Sequence, residues 1–266
     1  MLQVHGKIPV WIFIHFSIHP GSPGVENKSI IGYVEGKRLI IRCRKKMSAR
    51  KITFKVPEQA IYAPVTWHDD PLRYYYKPVV GKLYVKRIQD GLDLLAPPPY
   101  ERVLDFGYGS GLLFNTLAEI SKELHGIDIA SDAGILTEIL NKQNIRAVLK
   151  QEDILKAGYP ANYFDLITAF SVFEHIREFE PILQEMHRIM KPGGHLLIGM
   201  PSVSRVMPWL FKAIGFNNID DIHVTGHRSV LKSAERYFKL KDHKRLPSFL
   251  PERCCLYFNL LLEKQP

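Results

Sequence analysis

The chain is poor in cysteine, has no long apolar run, and contains no internal repeat or low-complexity tract. Its three cysteines, Cys43, Cys254 and Cys255, stand at no spacing that would hold a metal or a disulfide framework. Cys254 and Cys255 are neighbours, a poor arrangement for pairing with each other. The pattern reads as reduced thiols in a cytoplasmic protein. No stretch is long enough to span a bilayer. Residues 8–18 follow Lys7 and are bulky and apolar, as in a signal sequence. They include His15 and Ser17, are rich in aromatic and β-branched residues, and lack a small-residue cleavage site. A buried strand fits them better.

Acidic residues are missing from one region. Residues 37–55 hold nine basic side chains and no acid. The net charge of +9 lies entirely in residues 1–100, with 16 Lys/Arg against 7 Asp/Glu; residues 101–266 carry 20 of each. Two readings stand: a solubilising surface, or a surface for an anionic partner such as a phosphate-bearing substrate, nucleic acid or a membrane face.

What is present is the material of one full α/β domain and a smaller piece. Residues 1–60 read as a β-rich region of unknown role. Segments 29–34 and 38–43 flank Glu35-Gly36-Lys37 as a hairpin, and 51–56 alternate like a half-buried strand. Residues 61–99 read as a linker and a helix over 78–95. That helix carries Val80, Leu83, Tyr84, Ile88, Leu92 and Leu95 on one face and is stopped by Pro97-Pro98-Pro99. From 100 onward, apolar strands at 102–106, 124–129, 147–151, 164–170 and 195–200 alternate with helical segments. That order implies a parallel sheet with crossover helices. A helix over 180–190 ends at Lys191-Pro-Gly-Gly194.

The most informative stretch is Val103-Leu-Asp-Phe-Gly-Tyr-Gly-Ser-Gly111. An apolar strand ends in Asp105, and Gly107, Gly109 and Gly111 follow at alternate positions. A strand-to-helix turn of this kind lets backbone approach a ligand closely, and the next helix would offer free N–H groups. The spacing is not the nicotinamide fingerprint, because the third glycine comes one residue early and Leu112 holds the sixth position. Asp128 ends the second strand, where a carboxylate accepts hydrogen bonds from ribose hydroxyls. Asp153 follows the third strand, within reach of an adenine amino group, with Ile154 to cover the ring. The fourth strand ends at Phe170 and Ser171, facing the reacting group.

In this order and spacing the chain resembles the class I S-adenosylmethionine-dependent methyltransferases, well over about residues 100–200 and loosely over 201–266. The segment Phe164-Asp-Leu-Ile…Phe173-Glu-His-Ile176, with the helix and Lys191-Pro-Gly-Gly194 after it, is similar to the subgroup acting on small molecules and lipids. The resemblance implies a Rossmann-like, mostly parallel seven-stranded sheet whose last strand is antiparallel. Residues 255–263 are the candidate for that strand, with 238–245 its partner. It also implies S-adenosyl-L-methionine as cofactor, bound by Asp105, Gly107, Tyr108, Gly109, Gly111, Asp128, Ile129, Asp153, Ile154, Phe170 and Ser171. Tyr108 stands where that family often has a small residue, and its ring is expected along the cofactor.

A transferred methyl group needs an O, N or C nucleophile, and a general base helps if that nucleophile is a hydroxyl or amine. His175 is the first candidate; His223 and His227 are second candidates. Residues 203–235 include an apolar stretch, 203–219, that reads as a lid over a small or lipid-like acceptor, as a surface touching membrane, or as ordinary helix packing. The alternative function is a nucleic-acid-directed methyltransferase or cofactor-binding protein guided by the basic region. No aromatic–basic RNA motif supports that alternative, and no Asn-Pro-Pro-Tyr-like tetrapeptide follows the fourth strand.

Overall fold

The computed structural model describes residues 11–13, 25–34, 37–46, 51–58, 72–202 and 224–265. The chain divides into two compact units, residues 1–51 and 52–266. The sequence placed the break near residue 60.

The first unit holds an antiparallel sheet of three strands in the order β1-β2-β3: Trp11–Phe13 (β1), Val25–Val34 (β2) and Lys37–Lys46 (β3). Val34 pairs with Lys37, so the hairpin turns where expected and its strands run longer than expected.

The second unit is built on seven strands: Tyr100–Phe106 (β4), Ser121–Asp128 (β5), Val148–Gln151 (β6), Phe164–Phe170 (β7), Met190–Pro201 (β8), Phe238–Leu246 (β9) and Tyr257–Lys264 (β10). Their order is β6-β5-β4-β7-β8-β10-β9. β10 runs antiparallel to both of its neighbours, and the pairings among β4 to β8 are parallel. The order reverses between β4 and β7, and ligands of such sheets bind outside the strand ends at that point.

The helices are α1 (Leu72–Tyr75), α2 (Val80–Leu92), α3 (Phe114–Leu117), α4 (Ala133–Lys142), α5 (Glu180–Ile189) and α6 (His227–Ala234). Alternation along the strands supplies two cores. Leu104, Ile167, Leu196 and Leu260 pack with Leu183, Met186 and Ile189 of α5. Val103, Leu166, Leu197 and Leu261 pack with Ile88 and Leu92 of α2 and with Leu136 of α4.

Two local expectations change. Residues 51–56 alternate as expected, with Ile52 and Phe54 buried, but they join no sheet. The side-chain amide of Gln89 on α2 takes the place of a neighbouring strand. Its Nε2 donates to the carbonyl of Ile52 at 2.9 Å, and its Oε1 accepts the N–H of Phe54 at 2.8 Å. Thr116 Oγ1 of α3 accepts the N–H of Lys55 at 2.8 Å. Second, Lys191-Pro-Gly-Gly194 both follows α5 and lies inside β8. Gly193, at φ 74°, and a register shift opposite Phe164 and Leu166 fit the tetrapeptide into the strand's first turn.

Candidate active site

Phe106 ends β4, and Gly107, Gly109 and Gly111 then adopt φ of 72°, 51° and 77°. Such values disfavour any residue with a Cβ, and two of the positions are also crowded. A Cβ at Gly107 would come within 2.4 Å of Val172, and one at Gly111 within 2.7 Å of Leu136. A Cβ at Gly109 would meet nothing within 4 Å. Gly107 and Gly111 therefore let β7's exit and α4 close in, while Gly109 leaves an open face.

The amides of the turn are largely committed within the chain. Gly107 donates to the carbonyl of Ile127 and Gly111 to that of Tyr108, both at 2.8 Å. Gly109 donates to Asp128 Oδ2 at 2.9 Å. The helix that follows, α3, is only four residues long. The expected helix N-terminus with free N–H groups is thus replaced by a shaped turn, whose contribution to a ligand is close approach.

Asp128 is fixed by three backbone amides. Besides Gly109, its Oδ1 accepts from Ala130 at 2.8 Å and Ser131 at 3.0 Å. The carboxylate is half-buried; Oδ1 already accepts two hydrogen bonds, and Oδ2, which accepts one, keeps lone-pair capacity for a further donor. Beside it Ile129 is 72% exposed, an unusual position for so apolar a side chain.

Asp105 points into the sheet. It is 3% exposed, and Thr168 Oγ1 of β7 donates to its Oδ1 at 2.7 Å. Burial raises its pKa to about 7, against the lowering effect of the Thr168 hydrogen bond; the charge of Asp128 adds to the rise.

The other expected residues differ in how open they are to a ligand. The Tyr108 ring, expected along a ligand, is buried: it meets Phe114 edge-on, and its hydroxyl donates to the Ser131 carbonyl at 3.1 Å. Asp153 Oδ1 accepts the N–H of Leu155 at 3.0 Å, which leaves its second oxygen uncommitted. Ile154, expected to cover a ring, is 1% exposed and belongs to the core, while Leu155 is 48% exposed. The Phe170 ring packs against the backbone of Gly91 and Gly199, where added Cβ atoms would come within 2.8 and 2.3 Å of it.

Ser171, at φ 57°, starts the turn after β7; its N–H donates to the Gly199 carbonyl and its Oγ lies 3.1 Å from the Tyr257 hydroxyl. His175 ends a short 3-10 turn, Phe173–His175, and is exposed. His227 stacks on Phe258 with ring centroids 3.8 Å apart and lies 3.3 Å from Glu252 Oε1. Burial lowers its pKa. This occupied position fits a structural histidine. His223 and residues 203–219 lie outside the described residues.

Glu174, part of the Phe173-Glu-His-Ile176 motif but not among the expected site residues, is 1% exposed, and its Oε2 has no hydrogen-bond partner. Burial pushes its pKa to about 8; its own backbone amide, Arg87 and the Ser171 hydroxyl oppose the rise. Its carbonyl accepts the N–H groups of Val224 and Thr225. The only sequence signal was its place beside His175.

A doubly wound sheet with an antiparallel last strand, a glycine turn at the switch point and acids at or near the ends of three successive strands defines a Rossmann-like cofactor domain. The comparisons with known proteins specify it. A family model described as a methyltransferase domain matches residues 81–246. The chain belongs to this family, the class I methyltransferases that depend on S-adenosylmethionine.

The chain is 25% identical over 154 residues to a ubiquinone biosynthesis O-methyltransferase of Proteus mirabilis, covering 56% of this chain and 60% of that enzyme. Among solved structures, the PH0226 protein of Pyrococcus horikoshii is similar at a TM-score of 0.57 and 16% identity, over 72% of this chain and 93% of that one. The N-methyltransferase NodS of Bradyrhizobium japonicum, in complex with S-adenosyl-L-homocysteine, is similar at 0.55 and 17%, over 78% and 98%. These two structures share the fold. Among the described residues no helix is long and apolar enough to cross a membrane, and no group of His, Cys, Asp and Glu is arranged to hold a metal.

Proposed function

We propose that the chain transfers the methyl group of S-adenosylmethionine to a hydroxyl oxygen of a small or lipid-like acceptor. The single observation that carries this reading is the convergence of Asp105, the open-faced Gly109 and Asp128 at the switch point, inside the family match. The O-methyltransferase among its relatives supports oxygen as the accepting atom.

The residues fit the cofactor. Asp105 is a buried carboxyl with no cation beside it among the described residues, suited to an α-amino group. The Gly107–Gly111 backbone would follow the methionine part. Asp128 has a lone pair left on Oδ2 for a ribose hydroxyl, Ile129 offers an apolar face, and Asp153 has an oxygen for the adenine amino group. When bound, the sulfonium supplies an already activated methyl group, so the protein's task is placement of the nucleophile. His175, exposed just past β7, is the candidate base for the acceptor's proton.

The test is calorimetry with S-adenosylmethionine and S-adenosylhomocysteine, with Asp128→Ala as control. Both ligands should bind the native chain, and the variant should bind each at least about tenfold more weakly. A folded native protein that binds neither refutes the reading. Labelled methyl transfer into cell extract, split into lipid, small-molecule, protein and RNA pools, then identifies the acceptor class. Six basic residues on β3, Lys37, Arg38, Arg42, Arg44, Lys45 and Lys46, favour the second reading, an RNA acceptor. Label in the RNA pool, with binding that falls steeply with salt, would select it.

A further inference from the structure

α2 carries a cation close to the exit of β7. The Arg87 guanidinium lies 4.2 Å from the ring centroid of Tyr84, 5.2 Å from that of Tyr257 and 5.6 Å from that of Tyr75. Its Nε and Nη2 donate to the Tyr75 hydroxyl at 3.3 and 2.9 Å. The side chain is half-buried, and its contacts with described residues include no carboxylate ion pair. Tyrosine faces and one hydroxyl hold it in place while leaving its charge uncancelled.

Glu174 stands on the neighbouring turn with its orphaned Oε2. Arg87 is near enough to influence that carboxyl, yet the two make no ion pair. Tyr257 lines both groups: Arg87 sits over its ring, and its hydroxyl meets Ser171 Oγ. The place is next to the methyl-transfer end of the sheet, because Val172, between Ser171 and Glu174, is the residue packed on Gly107. A caged cation and a buried carboxyl kept apart are costly for a fold that gains nothing from the separation. A ligand group that accepts from both removes the cost.

We infer that Arg87 and Glu174 form an oxyanion subsite for the methyl acceptor, which therefore carries a carboxylate or phosphate besides its nucleophile. The inference rests on the methyltransferase reading. Arg87 donates from its uncommitted nitrogen, and Glu174 donates as a neutral acid, a role open to a carboxyl in an apolar site. The groups facing Glu174 are Arg87 from α2, Tyr257 from β10, and Ser171 on its own turn. Burial keeps the tyrosine pKa well above the ordinary phenol value, and Arg87 stays charged, so of these groups only Glu174 titrates near neutrality. Anion binding should hold below about pH 8 and weaken about tenfold per unit above it.

The test uses the full chain saturated with S-adenosylhomocysteine, titrated with 4-hydroxybenzoate, with inorganic phosphate, and with neutral 4-hydroxybenzyl alcohol. At least one anion should bind at pH 7, and at least about tenfold more tightly than the alcohol. The stronger anion separates carboxylate from phosphate. Arg87→Met should weaken that anion by about ten- to a hundredfold while S-adenosylhomocysteine affinity stays within about threefold. Glu174→Gln keeps a neutral donor, so it should bind the anion at pH 7 and lose the decline above pH 8. Should Arg87→Met fail to fold, this flattened pH profile decides alone. Equal binding of anion and alcohol, no anion binding, or an unchanged pH profile in Glu174→Gln overturns the subsite. Failure of S-adenosylhomocysteine itself to bind instead overturns the methyltransferase reading.

Discussion

Val172 lies over Gly107 so closely that a Cβ on the glycine would meet its Cγ2 at 2.4 Å. The contact joins the exit of β4 to the exit of β7, the two strands between which the sheet's order reverses. Gly107 cannot be enlarged without parting these two turns.

Gly107→Ala is therefore expected to destabilise the fold by about 1–3 kcal/mol, from the strained φ of 72° together with the overlap. Val172→Ala in the same chain should recover part of the loss by removing the colliding methyl groups. Chemical denaturation of the two variants and their combination checks both. An additive double variant would show that the contact does not limit the turn.

Asp105 makes stability depend on pH. Its folded pKa is raised to about 7, so the folded state holds a proton that the unfolded chain releases near 4. The stability from this group is complete below about pH 4 and is lost as pH rises to and through 7. The loss is on the order of 4 kcal/mol. Asp105→Asn should melt higher than the native chain at pH 8 without ligand, yet bind S-adenosylhomocysteine more weakly there, having no negative charge for the amino group. Melting curves across pH 5–8, with and without ligand, test the crossing.

The position of the unit boundary sets a third outcome. A chain starting at residue 52 keeps Ile52 and Phe54, each 6% exposed, and should fold and bind cofactor. A chain starting at residue 61 loses both side chains and the hydrogen bonds to Gln89 and Thr116. It should be less stable by several kcal/mol, since a buried aliphatic or aromatic side chain is worth about 2–5 kcal/mol each. Thermal unfolding of the two truncations distinguishes them.

The sheet was largely legible in the sequence because burial and period act through each residue's own type. β7 has both its expected ends, as a seven-residue apolar run bounded by turns. Legibility failed where a side chain's neighbours come from distant elements. Ile154 and Leu155 are adjacent and equally apolar, and only the path of the chain beyond β6 decides which one is buried. Nothing in the sequence around Arg87 sets it apart from the other basic residues of α2. Its surroundings come from α1, α2, β10 and the turn after β7, and no local pattern encodes such an assembly.

Gln89 ties α2 to chain 35 residues upstream, through both ends of one amide. A helix held on one flank by a two-point grip cannot roll about its axis, and Arg87 is only two residues away. The azimuth of that guanidinium is thus governed in part by a strap more than thirty residues away in the chain. Sequence change along the strap would shift that guanidinium at a distance, leaving the glycine turn as it is.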